Sequence, residues 1–300
     1  MHYREQKTGI ALSLLAVIIW SGNFVIARDV IKQLPPISLN FYRWLTASLI
    51  IAPFAWRSTR ESWPLIKKNI RYLLLVSLLG ISLFNSFVYV GAHYTSAINM
   101  ALIGTTSSPI MVVILARIFL GEKIYLAKAI GTLLCIIGVL FLLSHGNFNT
   151  LVHLHFSEGD LWLLLAALSF AIYNILVRKK PKELKPLPFL FSIFTLGTLL
   201  MTPFCFAEAA NAAPVVWNLR LMLSVLFLGL GASVICFFIW NMAIAKLGAG
   251  RTALFGNLIP IFSSMEAVVL LNEKITTFHI ISFCLVVGGL VIANLSHKLN

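Results

Sequence analysis

Arg43 and Glu266 are the ionisable residues set deepest in apolar sequence. A charge at bilayer depth costs at least about 2.5–3.5 kcal/mol on insertion scales, so each needs a reason to be there. A guanidinium in such a place can hold a carboxylate through paired donors. A carboxyl can carry a proton or meet an amine. Polar side chains at helical spacing accompany them. Trp20 and Asn23, three apart, share a helix face, and Asn85, Tyr89 and His93 step by four along another. Arg43, Glu266, Trp20, Asn23, Asn85, Tyr89 and His93 are therefore the candidate binding residues for a small polar ligand. Plainer readings stand beside them. Arg43 can snorkel or form a structural ion pair; Glu266 can be a neutral acid bonded to a backbone carbonyl. Trp and Tyr favour membrane interfaces, and His93 is close to the end of its apolar run. Tyr173, Asn174, Trp240, Asn241 and Asn257 form a second, weaker set.

Other motifs read as structure. Pro109 and Pro260 lie mid-run, where each removes a helical hydrogen bond. Thr105, Thr106, Ser107 and Ser108 precede the first and can satisfy freed backbone groups. Glu122-Lys123 and Glu273-Lys274 sit at run ends and are expected to be helix caps or salt bridges. His153 and His155 lack further ligands, so no metal site is expected. Cys135, Cys205, Cys236 and Cys284 lie in apolar runs without a CxxC and read as small core residues. No P-loop, HExxH or GxSxG is present, which supports neither ATP drive nor hydrolysis. No cofactor is expected, and the chain does not read as an enzyme.

The elements that must hold these residues follow from composition. Of 300 residues, 59% are hydrophobic and 11% charged, against about 25% charged in soluble domains. That disfavours a soluble enzyme, a nucleic-acid binder and a disordered chain, and predicts an all-α polytopic membrane protein. Apolar runs fall at 8–28, 36–56, 70–92, 96–117, 124–144, 160–178, 186–207, 219–244, 249–271 and 276–296. Each is long enough to cross a bilayer, for which about 20 residues suffice. With ten spans and both termini cytoplasmic, 18 of the 23 Lys and Arg fall on the inner side and 4 on the outer, Arg43 being within a span. That fits the positive-inside rule and a bacterial inner membrane. No cleavable signal peptide is expected, and the connections are too short to form a domain.

The halves resemble each other. At an offset of 150, Arg28 matches Arg178, Pro36 matches Pro186 and Pro53 matches Pro203. At 151, Gly80 matches Gly231, Ser82 matches Ser233, Pro109 matches Pro260, Gly138 matches Gly289, and Glu122-Lys123-Ile124 matches Glu273-Lys274-Ile275. Five spans per half is odd, so residues 1–148 and 149–300 are predicted to be two inverted five-helix repeats, an architecture common in secondary transporters. Arg43 and Glu266 have no counterpart, aligning with Ile193 and Leu115. Both lie at similar depth in the outer half and are expected to point into the protein near the outer side of a central cavity.

The run Trp20-Ser21-Gly22-Asn23-Phe24-Val25 with Arg28 resembles the first-helix signature of the EamA-type drug/metabolite transporters. Arg43 in Phe41-Tyr42-Arg43 resembles the arginine of their second helix. Pro109 followed by Gly121-Glu122-Lys123, and Pro260 followed by Asn272-Glu273-Lys274, are similar to the pattern closing the fourth helix of each repeat. Asn272 stands where that pattern usually has glycine, and Phe170 matches Trp20. The resemblance covers almost the whole chain. It implies ten helices in two inverted halves, a central cavity, and transport of small metabolites, often amino-acid export. The expected function is thus a secondary transporter exporting small polar metabolites such as amino acids by alternating access. The expected partners are the substrate, the lipid bilayer and protons, but no nucleic acid, and the expected state is a monomer or homodimer. The alternatives are a lipid- or isoprenoid-modifying membrane enzyme, which the scattered acids disfavour, and a channel.

Overall fold

The computed structural model describes residues 2–30, 33–95, 97–147, 149, 152–153, 157–271 and 277–295. Lys32, His155, Asn272, Glu273, Lys274, Ile275 and Lys298 lie outside the described residues, as do the side chains of Arg28, Thr105 and Thr106. The described secondary structure is all helical. Helices α1 (His2–Val30), α2 (Pro36–Glu61), α3 (Trp63–Lys68), α4 (Ile70–Tyr94), α5 (Ala97–Leu120) and α6 (Leu126–Leu143) make the first half. The second holds α7 (Glu158–Arg178), α8 (Pro186–Asn211), α9 (Leu219–Leu247), α10 (Ala249–Leu254), α11 (Ile259–Leu271) and α12 (Thr277–Leu295).

Among the described residues, α4, α6, α7, α8 and α9 are each long and apolar enough to cross a membrane, and Ser107–Leu120 and Thr277–Ala293 are shorter apolar helices. Burial follows a membrane pattern. Large apolar side chains such as Phe54 (73% exposed) and Leu126 (77%) face outward. Asn40, Asn85, Asn174, Asn257 and Ser233 are buried. The chain is a multi-pass membrane protein.

The apolar runs locate these helices to within a few residues at most ends. The longest overruns are polar: α1 starts at His2 and α2 continues to Glu61, because helix persists beyond the apolar core. One expectation is corrected. The run 249–271 is not a continuous α-helix; a 3-10 turn at Phe255–Leu258 separates α10 from α11. Pro260 has no N–H to continue the ladder, and the chain tightens just before it. Two more irregularities left no mark on hydropathy. Helix α4 widens to π-helix at Leu78–Leu83, and α9 does so at Leu230–Ile235.

Helix starts are tied across the fold. Pro36 and Pro186 occupy first-turn positions of α2 and α8, where a missing N–H is harmless. The α2 start is then capped by Glu208 of α8, which accepts from Ile37 N (3.0 Å), Ser38 N (2.6 Å) and Ser38 Oγ (2.7 Å). Glu122 caps α10 by accepting from Ala249 N at 3.1 Å, and pairs with buried Lys128 at 3.4 Å. Glu122 is thus both cap and ion-pair partner. Helices α6 and α12 approach each other closely. A Cβ added to Gly131 would lie 2.3 Å from Gly289 O, and one added to Gly289 would lie 2.6 Å from Gly131 O. Small residues let membrane helices approach this closely.

Candidate functional site

The site is organised by four consecutive residues of α1. Successive side chains on an α-helix point about 100° apart, since 3.6 residues make a turn. Trp20 and Asn23 accordingly face α9 and α2, while Ser21 faces α11. Trp20 Nε1 donates to Ala232 O at 2.9 Å. Its ring lies 4.9 Å from Trp240, 5.9 Å from Phe237 and 6.0 Å from Phe170.

Arg43, on α2, is 2% exposed. Its Nε donates to Ser233 Oγ at 2.7 Å, and Nη2 donates to Ala232 O at 3.1 Å. Nη1 faces Tyr89 OH (3.0 Å), Asn85 Oδ1 (3.1 Å) and Asn23 Oδ1 (3.3 Å). Ser233 Oγ donates its own hydrogen bond to Leu228 O at 2.8 Å, so it is oriented to accept. Every one of these acceptors is neutral, and no carboxylate among the described side chains comes within 4.0 Å of the guanidinium. Hydrogen bonds from a charged donor contribute roughly 1.5–3 kcal/mol each, and a set of them offsets a desolvation penalty of several kcal/mol. The cation is solvated by dipoles, with no counter-ion among the described side chains.

The second π segment supplies two of those dipoles, Ala232 O and Ser233 Oγ. Such wide turns recur at functional sites. The first is served in the same way by Asn40, three residues before Arg43. Asn40 Nδ2 donates to Ser82 O (3.0 Å), Ile81 O (3.3 Å) and Ser86 Oγ (2.9 Å). Ile81 and Ser82 are the 151-offset partners of Ala232 and Ser233. Helix α2 therefore reaches both wide turns.

Glu266, on α11, is part-buried and contacts Ser21 Oγ at 2.5 Å; Ser21 Oγ also lies 2.6 Å from Ile18 O. The other oxygen, Glu266 Oε2, is buried without a hydrogen-bond partner. It faces Gly22, whose added Cβ would lie 3.6 Å away.

Of the seven residues singled out by sequence, Arg43, Asn23, Asn85 and Tyr89 come together, and Trp20 joins them through Ala232 O. Glu266 lies on the other side of α1 and does not pair with Arg43. His93 is exposed in the last turn of α4, apart from the cluster. The weaker set makes separate hydrogen bonds. Tyr173 OH donates to Asn241 Oδ1 (2.9 Å), Trp240 Nε1 to Asn174 Oδ1 (2.8 Å), and Asn257 Nδ2 to Leu254 O (3.0 Å). Sequence reasoning missed Ser21, Asn40 and Ser233. Ser21 lay within the quoted Trp-Ser-Gly-Asn run, and Ser233 was a matched repeat position. Among the described residues no cluster of three or more His, Cys, Asp or Glu could hold a metal.

The model of the EamA-like transporter family matches residues 7–144 and again residues 157–295. The chain belongs to that family. A relative from Bacillus subtilis, the uncharacterized transporter YyaM, is 27% identical over 95% of this chain and 93% of its own length. A probable amino-acid metabolite efflux pump of Salmonella typhimurium is 27% identical over 96% of this chain and 95% of its own. The Escherichia coli protein of the same description is 26% identical over 96% and 95%. A solved crystal structure superposes on this EamA-like chain with a TM-score of 0.77, covering 97% of it and 98% of its own chain at 18% identity. That likeness concerns the fold.

Proposed function

We propose that this protein is a secondary transporter of the inner membrane that exports small polar metabolites such as amino acids by alternating access. The observation that carries the reading is Arg43: a fully buried cation held only by neutral acceptors, ready to exchange some of them for a substrate carboxylate. Asn23, Asn85 and Tyr89 would then turn to the ligand, and Trp20 would close over it with Phe170 and Trp240. Glu266 would carry a proton or meet an amine, and His93 would sit at the outer approach. The efflux pumps among the relatives support a metabolite of this class.

Ten spans in two inverted repeats, 1–148 and 149–300, suit this mechanism. Three observations support them: the two family-model matches, the matched π segments, and the helix contacts. Exchanging the halves turns the α1–α9 contact into the α7–α4 contact and leaves the α2–α8 and α6–α12 contacts unchanged. The basic inner connections support cytoplasmic termini.

Flux of a radiolabelled amino-acid mixture in proteoliposomes tests the proposal. A carrier saturates and exchanges, a channel does not saturate, and an enzyme moves nothing. Arg43→Gln should lower uptake at least tenfold, and Arg43→Lys should keep part of it, since lysine retains the charge but not the fork. Unchanged flux in Arg43→Gln would remove Arg43 from the substrate path.

A further inference from the structure

A serine hydroxyl has one hydrogen. Ser21 Oγ lies 2.6 Å from Ile18 O and 2.5 Å from Glu266 Oε1, both within hydrogen-bond range. Ile18 O can only accept. If Ser21 gives its hydrogen to Ile18 O, the contact with Glu266 needs a hydrogen on Glu266. If Ser21 gives it to an ionised Glu266, two acceptor oxygens are left 2.6 Å apart with nothing between them. Both contacts are satisfied together only when the carboxyl is protonated.

The surroundings agree. Helix α11 is packed by α1, the 3-10 turn Phe255–Leu258, α12, α5 and α6. From α1, Ser21 and Gly22 face the carboxyl, while Glu5 and Lys7 lie at the far end, about 21 Å or more along the axis. On α5, Arg117 is exposed in the last turn. On α6, Lys128 is bound to Glu122 and Cys135 to Val286 O. On α12, His279 stacks on Phe278 and Cys284 is exposed. The 3-10 turn has no titratable group. No described Lys or Arg comes within 4.0 Å of Glu266, and its Oε2 has no donor among the described residues. A buried charged oxygen without a donor is far costlier than a buried carbonyl of a neutral acid.

We propose that Glu266 is a proton-binding site whose bound proton fastens α11 to α1 through Ser21 and whose release parts the two helices. With the proton present, Glu266 Oε1–H donates to Ser21 and Ser21 donates to Ile18 O. When the proton leaves, Ser21 must abandon Ile18 O to serve Oε1, and Oε2 must find water. Both changes favour a conformation in which the α1–α11 seam is wet. The place of this step in a transport cycle rests on the transporter reading; the proton site itself does not.

Infrared spectroscopy of the purified full chain, titrated with alkali, reads the proton directly. The wild type should show a protonated-carboxyl stretch at neutral pH that disappears on alkalinisation. Glu266→Gln should lack it, and Ser21→Ala should shift it. Proteoliposomes then read the cycle. An imposed pH gradient should drive uptake of a radiolabelled amino-acid mixture several-fold in the wild type and not in Glu266→Gln, while the wild type also exchanges at equal concentrations. Absence of the band, or its survival in Glu266→Gln, overturns the proton site. A band with wild-type exchange indifferent to the gradient overturns the helix-fastening role and leaves the transporter reading intact. A band lost in Glu266→Gln with no wild-type flux of any kind upholds the site and fails the transporter reading instead.

Discussion

At Arg43, neighbouring dipoles stand in for a counter-ion, and this makes Asn85 informative. Its Oδ1 accepts from Arg43 while its Nδ2 is buried without a partner. Asn85→Asp would replace the orphan donor with a charged acceptor and give Arg43 an internal carboxylate. We expect the variant to be more stable by about 1–3 kcal/mol, seen as a raised Tm in detergent, and to take up amino acids at least tenfold less well. A gain in uptake would refute a role for the unpaired cation. Most of this cluster was legible in the sequence, because an isolated charge in an apolar run and polar residues at helical spacing carry a hydropathy signature. Ser233 and the Ala232 carbonyl were not. A serine barely alters hydropathy, a carbonyl leaves no trace, and both meet Arg43 across some 190 residues. His93 shared the Tyr89 face by spacing, yet one further turn carries it to the exposed end of α4.

Among elements, the helices were readable and their irregularities were not. Apolar runs fix where a helix lies, but a π turn of six residues keeps the same composition as the helix around it, so Leu78–Leu83 and Leu230–Ile235 could not be seen. Pro260 did signal a break, without telling a kink from a 3-10 turn. The α6–α12 seam offers a controlled test. Gly131→Ala would press a methyl into Gly289 O, which is backbone and cannot swing aside, whereas Gly288 has nothing within 4 Å. Gly131→Ala should lose roughly 1–3 kcal/mol, in the range typical of overpacking, and Gly288→Ala should be near neutral; thermal melts of the two variants compare them. At the same end of α6, Glu122→Gln would weaken the α10 cap and leave Lys128 buried without its acid. A drop in Tm is expected, largely restored by adding Lys128→Met, which removes the uncompensated charge.

For the molecule as a whole, the duplication was visible in paired prolines and in Glu-Lys-Ile at one offset, while the pairing of helices between halves was not, because similarity between halves carries no information on how they dock. Orientation is testable by reporters active only in the periplasm. A fusion after Lys298 should be silent and an insertion near Asn149 active; the reverse would invert the assignment. Helix α2 carries a further consequence. Asn40 and Arg43, less than a turn apart, fasten the two wide turns to one rigid rod. Fluctuations of α4 and α9 should then be correlated in time although the helices belong to different halves. Asn40→Ala should speed amide hydrogen exchange at Leu78–Leu83 and, through the loosened rod, at Leu230–Ile235 as well; two independent joints would exchange faster only at the first.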